Sequence, residues 1–130
     1  MKPHIAMVAV VVRDYDEAIA WYREAMAFDL LEDEDRGGGK RWVRMAPQGN
    51  SGFSLLLAQA ATPRQEAAIG DQHGGRVGFF LHTDDFARDH ARLAAAGAVF
   101  EEAPRHEDYG SVVVFRDLYG NRWDLIGPRA

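Results

Sequence analysis

The sequence predicts an α+β protein made of two βαβββ modules, and three observations carry that prediction. The order of elements read from hydrophobic periodicity restarts near residue 77. The two halves align in register: Met7 falls opposite Gly78, Tyr15 opposite Phe86, and Phe53-Ser54-Leu55-Leu56 opposite Trp123-Asp124-Leu125-Ile126. The 130 residues, 47% hydrophobic and 27% charged, suit one domain that can bury a core without staples. The expected organisation is a single domain over residues 1–130, with modules at 4–59 and 76–127 joined by a linker at 60–75.

Ile5 to Val12 is a β-branched run and reads as a strand. Asp14 with Glu17 resembles a capping box, and Tyr15, Ala18, Ile19, Tyr22 and Met26 recur at helical spacing behind it. Phe28–Glu32 is a second strand, Asp33–Gly39 an acidic then glycine-rich turn, Arg41–Ala46 a third strand, Pro47–Asn50 a turn and Phe53–Ala58 a fourth strand. Ala60–Gly75 breaks the pattern, with a short helix at Arg64–Ile69. The order then repeats. Val77–Thr83 is a strand, and Asp84 or Asp85 caps a helix whose apolar face includes Phe86 and Leu93. Gly97 stops that helix, and strands follow at Val99–Glu102, Ser111–Arg116 and Arg122–Ile126.

Composition excludes several function classes. Twenty acidic residues against fifteen Lys and Arg give a net charge of −5, with no basic cluster to form a nucleic-acid groove. Cysteine is absent, which removes disulfides, thiolate nucleophiles and thiolate metal centres. The longest apolar run is far shorter than the ~20 residues that span a bilayer. The expectation is a cytoplasmic protein with neither membrane nor nucleic-acid partners.

Two segments carry a family resemblance. They are Val12-Arg13-Asp14-Tyr15-Asp16-Glu17-Ala18-Ile19-Ala20-Trp21-Tyr22 and Phe115-Arg116-Asp117-Leu118-Tyr119-Gly120-Asn121-Arg122-Trp123-Asp124-Leu125-Ile126. With the double repeat, they resemble the vicinal oxygen chelate superfamily, which includes glyoxalase I, extradiol dioxygenases and the bleomycin and fosfomycin resistance proteins. The resemblance implies two sheets curling into a cup that binds ligand on its concave faces, with helices outside. It also implies a divalent metal held from the first and last strand of each half. Carried onto this chain, those positions are Met7, Ser54, Gly78 and Asp124, and only Asp124 is a hard oxygen donor. No cofactor is therefore expected at the family positions. A Zn, Ni, Mn or Fe ion would need relocated ligands such as His82 and Asp124. Members of the superfamily commonly pair, so a homodimer is expected.

Asp124 and His82 are the candidate catalytic residues. Strand alternation puts Asp124 opposite Trp123 in facing, and family analogy turns it toward the cup, as a general base or a ligand anchor. The structural alternative is pairing with an Arg such as Arg44, or with a Ser. His82 shares strand parity with Gly78 and Phe80 and is the next acid–base candidate. Trp42, Arg44, Phe53, Phe80 and Tyr109 are candidate ligand-binding residues beside Met7, Ser54 and Gly78, where aromatic rings and a cation suit a planar or anionic organic molecule. The small residue Gly78 is expected to leave room at the cavity floor. His4 lies on the opposite strand face from Met7, and His90 at the boundary of the second helix. His73 and His106 lie in loops, His106-Glu107-Asp108 reading as a solvated loop. Glu32–Arg36 reads as a solvated acidic hairpin, and Gly37-Gly38-Gly39 as a flexible loop suited to closing over the cup.

The leading reading is a small-molecule protein of the glyoxalase/bleomycin resistance type that does without the family's metal site. It would either sequester its ligand or use Asp124 and His82 for metal-free acid–base chemistry. The alternatives are a metal-dependent lyase, isomerase or dioxygenase with relocated ligands, and a non-catalytic interaction module.

Overall fold

In the computed structural model, which describes residues 2–49 and 52–129, the chain divides into two units, the first ending at Ala67 and the second beginning at Ala68. The first unit begins with β1 (Met7–Val12) and α1 (Tyr15–Met26). The Asp14 side chain accepts a hydrogen bond from the Glu17 N–H at 2.8 Å, which satisfies one of the donors a helix start leaves open. The helix buries Tyr15, Ala18, Ile19, Tyr22, Ala25 and Met26, and it ends where Ala27 turns left-handed at φ 54°. Three strands follow: β2 (Phe28–Gly37), β3 (Lys40–Pro47) and β4 (Ser54–Gln59). Their order is β1-β4-β3-β2, with β1 parallel to β4 and the other pairs antiparallel. Val10, Val12, Val43, Met45, Leu55 and Leu57 are buried on the face that α1 covers. Each fully buried aliphatic side chain contributes about 1.5–3 kcal/mol relative to exposure.

The second unit follows α2 (Pro63–Ala68) and consists of β5 (Val77–His82), α3 (Phe86–Ala95), β6 (Val99–Phe100), β7 (Arg105–Glu107), β8 (Gly110–Arg116) and β9 (Arg122–Gly127). The sheet order is β5-β9-β8-β6, with β7 also paired to β8. Asp85 caps α3 through the Arg88 N–H. Beneath this helix the rings of Phe86, His90, Phe100, Phe115, Trp123 and Phe79 follow one another at centroid spacings of 5.8, 4.3, 6.5, 6.0 and 4.5 Å. His90 is thus a packed boundary residue between two phenylalanines.

The β8–β9 turn explains the second sequence motif. Asp117, only 5% exposed, receives five N–H donors. Its Oδ1 accepts from the backbone of Tyr119, Gly120 and Asn121, and its Oδ2 from Asn121 Nδ2 and Trp123 Nε1, all at 3.0–3.2 Å. One carboxylate therefore closes the turn and fixes the indole that anchors the core.

Four expectations need correction. The acidic run is strand and not turn: β2 continues to Gly37, because Asp33, Glu34 and Asp35 pair with Val43, Trp42 and Arg41 across the ladder. Asp33 is also bound to Arg41 at 2.7 Å. Gly37-Gly38-Gly39 is the tight reversal of that hairpin, with all three residues at positive φ, where side chains are disfavoured. His106-Glu107 is strand β7, and His106 Nδ1 lies 2.8 Å from Ser111 Oγ. The later part of the expected linker is packed: the Gln72 N–H reaches Asn121 Oδ1 at 3.3 Å, and a Cβ at Gly70 would sit 1.9 Å from the Tyr119 carbonyl oxygen. The turn expected over Pro47–Asn50 lies partly outside the described residues.

Candidate functional site

Each sheet carries a helix on one face, and several of the candidate residues stand on the other. In the first unit, ladder partners share a face, so the pairs Met7↔Ser54, Ala9↔Leu56, Arg44↔Leu56 and Glu32↔Arg44 bring Met7, Ser54, Arg44 and Glu32 to one side. A bulge between Leu30 and Glu32 is what turns Glu32 to this face while Leu30 stays opposite Met45. The Glu32 carboxylate accepts from Arg44 Nε and from Trp42 Nε1 at 3.2 Å, and these bonds hold its pKa below the usual carboxylate value. Arg44 Nη1 donates to Ser54 Oγ at 3.1 Å, and Ser54 is 2% exposed. Beside this network lies a pocket of about 270 Å³ lined by His4, Met7, Leu31, Arg44, Phe53 and Ser54. Four expected ligand residues, Met7, Arg44, Phe53 and Ser54, therefore meet at one cavity. Trp42 sits on the same face with the Arg36 guanidinium 5.7 Å from its ring centre.

In the second unit the pairs Phe80↔Asp124, His82↔Ile126, Val114↔Asp124 and Val112↔Ile126 define the face away from α3. Asp124 lies there among Phe80, Val114 and Ile126. Its Oδ1 is buried with no hydrogen-bond partner among the described residues. Burial raises its pKa; Arg105 and Arg122 oppose the shift, and Glu102 adds to it. Glu102 itself is tied to Arg105 at 2.9 Å and to the Val114 N–H at 2.9 Å, filling the gap between β6 and β7 along β8. Phe80 is 59% exposed, and Tyr109 is 67% exposed in the β7–β8 turn.

Several expectations are revised here. His82 shares the face of Asp124 but is exposed, and no hydrogen bond joins the two among the described residues. Arg44 satisfies Glu32 and Ser54. Gly78 leaves no open floor: a Cβ there would lie 2.0 Å from His73 Nδ1, so the His73 ring fills the space. The residue paired with Asp124, as Met7 is with Ser54, is Phe80 and not Gly78, and a register shift lies between Val77 and Phe79. Glu32 was hidden in the sequence, because its acidic neighbours mask a residue whose partners lie on β3. The complementary charges at Glu32/Arg44 and Asp33/Arg41 were the available signal.

The donor chemistry does not fit the metal that the family positions imply. A thioether, a serine hydroxyl already bound to a guanidinium and a glycine leave Asp124 as the one hard anionic donor among the four. A cation at Ser54 would also face the Arg44 charge. Among the described residues no three His, Asp or Glu side chains converge as a metal-holding group.

Comparison with known proteins decides the family. The model of the Glyoxalase/Bleomycin resistance protein/Dioxygenase superfamily matches residues 4–125. The chain belongs to this superfamily. A Shewanella frigidimarina (strain NCIMB 400) protein described as uncharacterized is 52% identical over 127 residues, covering 97% of this chain and 94% of its own. Among solved structures, UcmS2 superposes with a TM-score of 0.82 at 25% identity, covering 97% of this chain and 98% of its own. TnmS3, an antibiotic binding protein from Streptomyces sp. CB03234, superposes with a TM-score of 0.76 at 32% identity, covering 98% and 97%. The α+β architecture with mixed sheets is that of the glyoxalase/bleomycin resistance fold. Among the described residues no helix is long and apolar enough to cross a membrane.

Proposed function

We propose that this member of the superfamily binds a small organic molecule on the uncovered faces of its sheets and does so without a metal at the superfamily's positions. The observation that carries the reading is the pocket where Met7, Leu31 and Phe53 form apolar walls around the Arg44 and Ser54 polar pair. Apolar walls remove water from a ligand, and a few convergent polar groups orient it. Glu32 and Ser54 already hold the Arg44 guanidinium, so binding orders little that is not ordered beforehand. The remaining guanidinium N–H groups suit a carbonyl or carboxylate oxygen, a charge-assisted bond worth about 1.5–3 kcal/mol. On the second unit, Asp124 is the proposed polar contact and His82 the next, beside the exposed ring of Phe80. The antibiotic-binding relative supports an antibiotic-like organic ligand as the class to test.

The test is a thermal-shift screen of antibiotics and other aromatic metabolites, followed by calorimetry on the hits. Arg44→Met with Glu32→Gln removes the cation without stranding its carboxylate. Binding at least tenfold weaker than wild type is expected, equivalent to ~1.4 kcal/mol. A hit that binds this double variant and Asp124→Asn as tightly as wild type overturns the reading.

A further inference from the structure

A second pocket, of about 340 Å³, lies wholly in the second unit and involves none of the residues assigned above. Its charged lining is Asp71, Arg76, Glu101, Arg116 and Arg122, with His73 beside them. The ladder sets Arg116 directly opposite Arg122, and like charges in that position repel. Glu101 compensates: its Oε2 accepts from Arg116 Nε at 3.0 Å and from Arg122 Nε at 2.8 Å, and its Oε1 from Arg122 Nη2 at 2.8 Å. Arg122 Nη1 donates to the Gly75 carbonyl at 2.9 Å, so all three nitrogens of that guanidinium are engaged. Arg116 has only its Nε committed, and the Arg76 guanidinium has no hydrogen bond or ion pair among the described residues.

The pocket therefore sets three guanidiniums against two carboxylates, one positive charge in excess, in a chain whose net charge is −5. Glu102 and Asp124 lie close enough to act on Arg122, which is the arginine already fully engaged, and repulsion from carboxylates beyond ~8 Å is screened at physiological salt. The loop that carries Arg76 is also fixed. Gln72 is tied to Asn121, Arg122 holds Gly75, and the Arg76 N–H donates to the His73 carbonyl at 3.3 Å. Planar guanidinium forks match the paired oxygens of carboxylates and phosphates.

We propose that this pocket is an oxyanion site that takes a carboxylate or phosphate group of a small molecule between Arg76 and Arg116, with Glu101 and Arg122 as the frame. The site stands whether or not Arg44 and Asp124 bind a ligand.

The test uses the full chain, isotope-labelled, titrated separately with inorganic phosphate and with acetate while the arginine Nε–Hε and loop amide resonances are followed. Saturable shifts are expected at Arg76, Arg116 and Gly75, and whichever probe saturates first identifies the group. Arg76→Gln, which removes no hydrogen bond, should weaken binding at least fivefold, and Arg116→Gln likewise. Arg64→Gln, a charge-matched change on α2 outside the pocket, should leave binding unchanged. Shifts that fail to saturate, an unchanged affinity in Arg76→Gln, or an equal loss in Arg64→Gln would each overturn the proposal.

Discussion

Replacing Asp124 with Asn should stabilise the fold and weaken ligand binding at the same time. The carboxylate has one oxygen buried without a hydrogen-bond partner among the described residues, on a face otherwise formed by Phe80, Val114 and Ile126. A buried polar group left unsatisfied costs about 1–3 kcal/mol and a charged one more, so the amide, equally unpartnered there, relieves only the excess that the charge adds. Asp124 keeps part of its surface in solvent and feels Arg105 and Arg122, so the lower end, about 1 kcal/mol, is the working figure. The amide keeps the shape and loses the charge, so for a chain of this length the midpoint should rise by about 3–5 °C at pH 7. The sign in pH follows from linkage. Burial raises the folded-state pKa above the unfolded value, so the folded protein binds the proton more tightly. The penalty is absent below the unfolded carboxylate pKa, grows as pH rises through the folded value, and is full at neutrality. Urea denaturation of both proteins at pH 7 and near pH 3.5 measures it; the stability difference should be present at the first and vanish at the second. If Asp124→Asn is less stable than wild type at pH 7, the carboxylate has a partner that the geometry does not account for, and the reasoning fails.

Three further outcomes are expected. Asp117→Ala strands five N–H donors, of which those of Trp123 and Asn121 are deeply buried, and should cost about 3–4 kcal/mol, or ~10–15 °C in midpoint; a loss under about 1 kcal/mol by calorimetry would contradict the role given to this carboxylate. Elemental analysis of untagged protein after dialysis should return well under one equivalent of Zn, Ni, Mn or Fe per chain, and near-stoichiometric retention would sink the metal-free reading. The chain is further proposed to form a homodimer, supported by the exposed Val8 on edge strand β1 and the exposed Ile5 just before it; sedimentation that finds only monomer at high micromolar concentration would refute it.

How far the sequence could be read depended on whether the information was local. The caps at Asp14 and Asp85 and the Asp117–Trp123 turn are contained within a few residues, and their chemistry is visible in the order of the letters. Strand β2 beyond Glu32 was not readable, because an acidic run has no apolar alternation; it is held by charges on β3 that become partners only once the register is known. The register shift between Val77 and Phe79 was equally hidden, since a one-residue shift leaves no mark in composition yet sets Phe80 rather than Phe79 beside Asp124. The same distinction explains why the fold was plain and the chemistry was not. The residues that announce the superfamily, Asp14, Asp117, Asn121 and Trp123, close turns, cap a helix or fill the core beneath α3. Met7, Ser54, Phe80 and Asp124 stand on the sheet faces turned away from the helices, and they close no turn and cap no helix. Arg44 joins the two classes. Its Nε and Nη1 contacts brace Glu32 and Ser54, and the rest of its guanidinium borders a cavity, which puts a fixed protein cation beside Ser54, one of the positions from which the superfamily's metal would be held. A fixed guanidinium can polarise an oxygen but cannot exchange ligands as a metal does. That contrast is the physical reason for proposing recognition of an oxygen-bearing organic molecule at this face rather than metal chemistry.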